Sequence, residues 1–183
     1  MRVISGAWRG RPLAAPPGRE TRPTSERARE GLFSMLASRV GSFEGLRVAD
    51  LFAGSGALGI EALSRGAAHC LFIENNLAAA DAIRANLQRL DAGDRAEIRM
   101  QSAQHAAPPP DPCDVVFLDP PWRSGLEAAT LEHLARPGWL APGAWLSLES
   151  AGEVALPPGF GVAAERRFGK AVIRLIVRGD LVP

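Results

Sequence analysis

The chain has 183 residues, 46% hydrophobic and 22% charged, with a formal net charge of +1; this suits one domain with a buried core and excludes a disordered or collagen-like chain. No stretch reaches the roughly 20 consecutive apolar residues that span a bilayer, and the opening MRVISGAWRGR lacks the apolar segment of a secretory signal. Two distant cysteines, Cys70 and Cys113, and three histidines without ligand spacing argue against a disulfide framework and a metal enzyme, and fit a cytoplasmic protein.

The small total charge hides an asymmetry. Residues 1–39 hold eight arginines against three acids, a net of +5, which leaves the rest of the chain at −4. Arginine makes planar, bidentate contacts with phosphates and stacks on bases. Concentrated on a Gly/Pro-punctuated arm, it points to a polyanion; arginines that merely solvate a surface are the bland alternative. Within this arm, Arg2–Ser5 and Arg11–Ala15 read as short strands around Gly6–Gly10, and Pro16-Pro17-Gly18 breaks the pattern. Thr24 or Ser25 can cap a helix whose apolar face is Ala28, Leu32, Met35, Leu36 and Val40, with Arg27, Arg29 and Glu30 off that face. The arm with this helix, 1–39, forms one unit and 40–183 the next.

From Leu46 strands and helices alternate. Leu46–Phe52 is a strand, followed by a glycine turn and a helix through Ser64 that Gly66 stops. Cys70–Ile73 is a strand ending at Glu74, and Leu77–Leu90 is a helix with Ala80, Ile83, Leu87 and Leu90 on one face. Ala96–Met100 is a weaker strand, Pro108–Pro110 a loop, Val115–Leu118 a buried strand, Leu126–Leu134 a helix and Trp145–Leu148 a strand. Gly161–Phe168 and Ala171–Val177 form a hairpin across Gly169-Lys170. This order predicts an α/β fold, a doubly wound and mostly parallel sheet with an antiparallel far edge.

Gly54, Gly56 and Gly59 match G-x-G-x-x-G between the first strand and its helix, and Glu74 ends the next strand, where a ribose ligand belongs. The pattern suits a nucleoside-bearing cofactor. A pyrophosphate gains from a helix N-terminus and would not favour the Asp50 carboxylate beside it. A cofactor with an ammonium and a sulfonium would, so Asp50 favours S-adenosylmethionine over NAD. Further on, Asp119-Pro120-Pro121-Trp122 follows the central strand. Two prolines stiffen the backbone and remove two amide donors. An acid beside a rigid carbonyl is an acceptor pair for an exocyclic amine, and Trp122 can stack on a base that has left its own stack. An ordinary Asp-Pro turn with a buried Trp is the plain alternative.

Asp50–Gly59, Glu74 and Asp119–Trp122 resemble the motifs of class I S-adenosylmethionine-dependent amino-methyltransferases. The stretches Arg2–Gly6, Trp8–Arg11, Thr21–Glu30 and Glu61–Arg65 narrow the resemblance, over essentially the whole chain, to the bacterial 16S rRNA guanine-N2 methyltransferase D family. That resemblance implies a seven-stranded Rossmann-like domain that acts as a monomer on 16S rRNA of the small ribosomal subunit, methylating a guanine N2. By the same resemblance catalysis falls to Asp119, Pro120, Pro121 and Trp122. Cofactor binding falls to Asp50, Phe52, Ala53, Gly54, Ser55, Gly56, Ala57, Glu74, Asn75, Ser102 and Ala103, and RNA contact to Arg9, Arg11, Arg22, Thr24, Arg27 and Arg29. Two positions depart from the family pattern: Ser102 stands where Asp or Asn would bind the adenine amine, and Asn75 where an acid is common. Methylation of DNA adenine or protein glutamine would use the same tetrapeptide, but no large recognition domain is present for either. A nicotinamide oxidoreductase is opposed by Asp50 and the tetrapeptide, and a non-catalytic RNA-binding protein would transfer no methyl group.

Overall fold

The computed structural model describes residues 1–16, 26–121 and 124–179. Helix α1 (Glu26–Val40) precedes a regular alternation of β1 (Arg47–Leu51), α2 (Ala57–Ser64), β2 (His69–Ile73), α3 (Leu77–Arg89) and β3 (Ala96–Arg99). Then follow β4 (Cys113–Leu118), α4 (Leu126–Leu134), β5 (Leu140–Ser150), β6 (Phe160–Phe168) and β7 (Ala171–Arg178). The seven strands form one sheet in the order β3-β2-β1-β4-β5-β7-β6. The β3, β2, β1, β4 and β5 neighbours pair parallel, and β7 alone runs against the rest, between β5 and β6. This is the doubly wound, mostly parallel sheet with an antiparallel edge that the strand–helix alternation predicts.

The central strands read as unbroken apolar runs because both faces are covered. Val48, Cys70, Phe72, Val115 and Phe117 pack with α1, α2 and α3 on one face, while Ala49, Leu71, Val116 and Leu146 pack with α4 and Trp139 on the other. The N-terminal arm is part of the first of these layers, since Val3, Trp8 and Leu13 share its core.

Three expectations from the sequence are corrected. The strands foreseen at Arg2–Ser5 and Arg11–Ala15 shrink to a single antiparallel bridge, Arg2 with Pro12. Pro12 has no amide to donate; the Val3 and Leu13 amides do cross to the Arg11 and Met1 carbonyls at 3.0 Å, but Ile4 and Ser5 donate to the Glu61 carboxylate at 2.8 and 3.0 Å, and Trp8 donates to Ser64 Oγ at 3.0 Å. The second correction is Arg29. Rather than lying off the apolar face of α1, it is 1% exposed and faces Glu61, with Nε–Oε2 at 3.9 Å, while its guanidinium donates to the Arg2 carbonyl. A phosphate cannot reach it, so it is no RNA-contact residue; it locks α1, α2 and the arm together. The third is β5, which starts at Leu140, five residues earlier than its apolar core suggests, through a register shift opposite Cys113 and Val115. Thr24 and Ser25, the two candidates for the helix cap, lie outside the described residues.

Candidate active site

The strand order reverses between β1 and β4, and the carboxyl ends of these two strands form the rim where an open α/β sheet binds ligands. Asp50, at the penultimate position of β1, is 1% exposed, and its Oδ2 accepts the Gly59 amide at 2.9 Å. It supports the glycine turn from within. Burial pushes its carboxyl well above the ordinary range, and the negative charges of Asp119 and Glu74 push it further.

Phe52 leaves β1 with a φ of 67°, a left-handed conformation that is uncommon for a bulky residue. The amides of Phe52 and Ala53 both donate to the Ile73 carbonyl at 3.1 Å, which folds the chain back over the end of β2. At Gly54 the backbone is open to approach, because a Cβ there would meet only the Phe52 carbonyl oxygen, at 3.9 Å. At Gly59 the need is opposite: a Cβ would lie 2.4 Å from the Phe72 ring and 2.5 Å from Cys70 Sγ, so glycine lets α2 press on β2. Ser55, Gly56 and Ala57 lead directly into α2.

Glu74 closes the turn from β2. Its Oε2 accepts the Gly54 amide and its Oε1 the Asn76 amide, both at 2.8 Å. A carboxylate offers about four acceptor sites, so lone pairs remain for further donors. Asn75 is exposed, and its neighbour Asn76 caps α3 by accepting the Ala79 amide at 3.0 Å. Beyond β3, Ala103 is buried and Ser102 half-buried, with its hydroxyl donating to Gln104 Oε1. Gln104 in turn donates to Thr130 Oγ1 at 3.2 Å, which ties this loop to α4.

At the end of β4, Asp119 is half-buried, Pro120 buried and Pro121 exposed. The rim therefore brings Asp119 beside the Asp50, Gly54 and Glu74 cluster from three segments of the chain, the ends of β1, β2 and β4. Trp122, Arg22 and Thr24 lie outside the described residues. Among the described residues, no group of three or more His, Cys, Asp or Glu side chains could hold a metal, and no helix is long and apolar enough to cross a membrane.

The arm's arginines divide. Arg27 is exposed on the first turn of α1. Arg9 is exposed in a turn whose Ala7 amide donates to the Ser64 carbonyl at 2.7 Å, at the end of α2 remote from the glycine turn. Arg11 donates to the Arg89 carbonyl at 2.7 Å, at the corresponding end of α3. Both lie towards the edge of the sheet opposite the rim. Sequence reasoning missed Asn86 and Glu61. Asn86 interrupts the apolar face of α3, and its amide bonds Ala14 and the Ser55 carbonyl. Glu61 is a lone acid in an apolar helix, 1% exposed, and also accepts from Arg65 at 2.9 Å. In each case the signal was a polar residue at a core position.

Known proteins resemble this chain over most of its length. A protein named "Ribosomal RNA small subunit methyltransferase D" from Escherichia coli is 39% identical over 181 residues, 97% of this chain and 90% of its own. A solved structure from Escherichia coli, described as a candidate methyltransferase, superposes with a TM-score of 0.85 at 40% identity over 97% of both chains. Another from Haemophilus influenzae, described as a candidate methylase, gives a TM-score of 0.80 at 33% identity over 97% of this chain and 98% of that one. The profile of the family described as conserved hypothetical protein 95 matches residues 1–177, and with these relatives beside it the chain belongs to that family, the one that holds the ribosomal RNA small subunit methyltransferase D proteins.

Proposed function

We propose that the protein is an S-adenosylmethionine-dependent methyltransferase acting, as a monomer in the cytoplasm, on the exocyclic N2 amine of a guanine in 16S rRNA of the small ribosomal subunit. The reading rests on one observation above all: Asp50 and Glu74 hold the glycine turn from the ends of two neighbouring strands, and Asp119 follows the end of β4 on the other side of β1. Carboxylates gathered at the glycine turn favour a ligand with a positive centre, whereas a pyrophosphate would add to their repulsion. S-adenosylmethionine carries a sulfonium and an ammonium, and when bound it supplies an electrophilic methyl group. Glu74 would accept from its ribose hydroxyls, the open backbone at Gly54 would let it approach, and Ser102 and Ala103 would border the adenine. The name of the Escherichia coli relative supports small-subunit rRNA as the substrate.

An exocyclic amine is a weak nucleophile because its lone pair is delocalised into the base. Asp119 and the Pro120 carbonyl would accept its two hydrogens, which favours pyramidalisation and frees the lone pair. Asp119 would then take the proton that the nitrogen releases. Trp122 would stack on the base once it has left its own stack. Most of the acceleration would come from holding amine and methyl donor in line, without a covalent enzyme intermediate. The test is label transfer from S-adenosylmethionine to small subunits lacking the modification, followed by nucleoside analysis. N2-methylguanosine from 16S rRNA is expected; label in an adenine, in protein or in nothing would refute the assignment.

A further inference from the structure

The β6–β7 hairpin has no role in the site described above, yet the sheet register places its turn on the same rim. Leu118, the last residue of β4, pairs with Leu148, and Leu148 pairs with Arg174 of β7. One step beyond, Asp119 is level with Glu149, which pairs with Ile173, and Ile173 pairs with Arg166. Two steps beyond, Pro120 is level with Ser150, Val172 and Arg167. Because β7 runs antiparallel, the Gly169-Lys170 turn projects past the carboxyl end of β5. At the usual strand spacing, Arg166 and Arg167 lie about 14 Å across the sheet from Asp119.

This hairpin is the most cationic part of the body. Residues 160–178 hold four arginines and Lys170, the only lysine in the chain, against a single acid, Glu165. Glu165 is taken by Arg174 at 2.8 Å. Arg166, Arg167 and Lys170 are exposed. Arg166 is also braced, since its guanidinium lies 5.3 Å over the centre of the Phe168 ring. That ring in turn fills the notch at Gly31 of α1, where a Cβ would come within 2.3 Å of it. Alternation along β6 sends Arg166 and Arg167 to opposite faces, so the cations straddle the sheet edge. Arg167 lines a cleft there with Glu153 and Arg174.

We infer that the β6–β7 hairpin is an RNA-contact surface, on which Arg166, Arg167 and Lys170 hold phosphates of the strand that delivers the target nucleotide to Asp119. The inference rests on the rRNA reading proposed above. The rim itself is a cluster of carboxylates that repels a polyanion, and Arg9 and Arg11 point away from it. A strand entering the rim therefore needs cations beside it, and the hairpin supplies them within the reach of nucleotides flanking an extruded base.

The test uses the full chain with Arg166, Arg167 and Lys170 all changed to Gln, and a 16S rRNA transcript as the probe. Affinity should fall about tenfold near physiological salt, and the log–log salt slope should flatten by about 2, at 0.7 per lost single-strand contact. S-adenosylmethionine affinity and Tm should stay at the wild-type values, and Arg166→Lys with Arg167→Lys should restore the slope. Superimposable salt curves for the triple variant and the wild type, which itself binds and methylates, would overturn the hairpin while leaving the function intact. Loss of binding to small subunits but not to the naked transcript would also overturn it, by assigning the hairpin to a ribosomal protein. A wild type with no salt-dependent affinity for rRNA would overturn both readings.

Discussion

Asn86 grips Ala14 at both of its backbone polar atoms, with Oδ1 accepting the amide at 2.8 Å and Nδ2 donating to the carbonyl at 3.0 Å. The same Nδ2 reaches the Ser55 carbonyl at 3.1 Å. One fully buried side chain thus ties the N-terminal arm to the glycine turn. Asn86→Leu keeps the volume but strands three backbone groups, for a loss of about 2–4 kcal/mol. Thermal melting should show the loss, and calorimetry should show weaker S-adenosylmethionine binding. A variant that melts and binds like the wild type would remove Asn86 from the support of the turn.

Asp50 carries a stability effect with a defined sign. Its carboxyl is pushed up mainly by burial, then by the charges of Asp119 and Glu74. An acid whose folded pKa is raised gives its full stability below the unfolded value, near 3.8, and that stability is lost as pH climbs towards the folded value. Asp50→Asn still offers an oxygen to the Gly59 amide but has no charge. Without cofactor it should be more stable than the wild type at neutral pH, with the advantage shrinking towards pH 4, and it should bind S-adenosylmethionine more weakly. Denaturant titrations across pH check this; lower stability at neutral pH would contradict it.

Glu74 clasps the glycine turn and is the residue proposed to bind the ribose. Glu74→Ala removes the acceptor for the Gly54 and Asn76 amides as well as the one proposed for the ribose. Cofactor affinity should fall by about 1.5–3 kcal/mol, roughly tenfold to a hundredfold. Unchanged affinity in a folded variant, measured by calorimetry, would reject the ribose role.

Arg9 and Arg11 sit towards the edge opposite the rim, so only an RNA large enough to wrap the body can touch them and the site together. Changing both to Gln should flatten the salt slope for whole small subunits by about 1–1.5, if each meets one phosphate. Binding of a short oligonucleotide that spans only the target should change little. Equal effects on both substrates would contradict the placement.

The sheet was readable in the sequence because apolar runs such as Val115–Leu118 are bounded by turn residues, and Asp50–Gly59 with Glu74 marked the ligand-binding ends of two strands. What was not readable depends on partners distant in sequence. Arg29 counts as a solvent residue on a helical wheel, and its burial follows from Glu61, a partner thirty-two residues on. The amides of Ile4 and Ser5 look available for a ribbon until the same Glu61 claims them. The hairpin reads as an ordinary sheet edge, and only the register from Leu118 through Leu148 to Arg174 puts Arg166 level with Asp119.

Asp119 is proposed to orient the target amine without holding the cofactor. Single-turnover methyl transfer to unmodified small subunits, measured for the wild type and Asp119→Ala alongside calorimetry with S-adenosylmethionine, tests it directly. Asp119→Ala should bind the cofactor as the wild type does and lose most of the transfer, by about 10²-fold or more, the scale of a positioned acid–base group. Transfer by Asp119→Ala at the wild-type rate would contradict it.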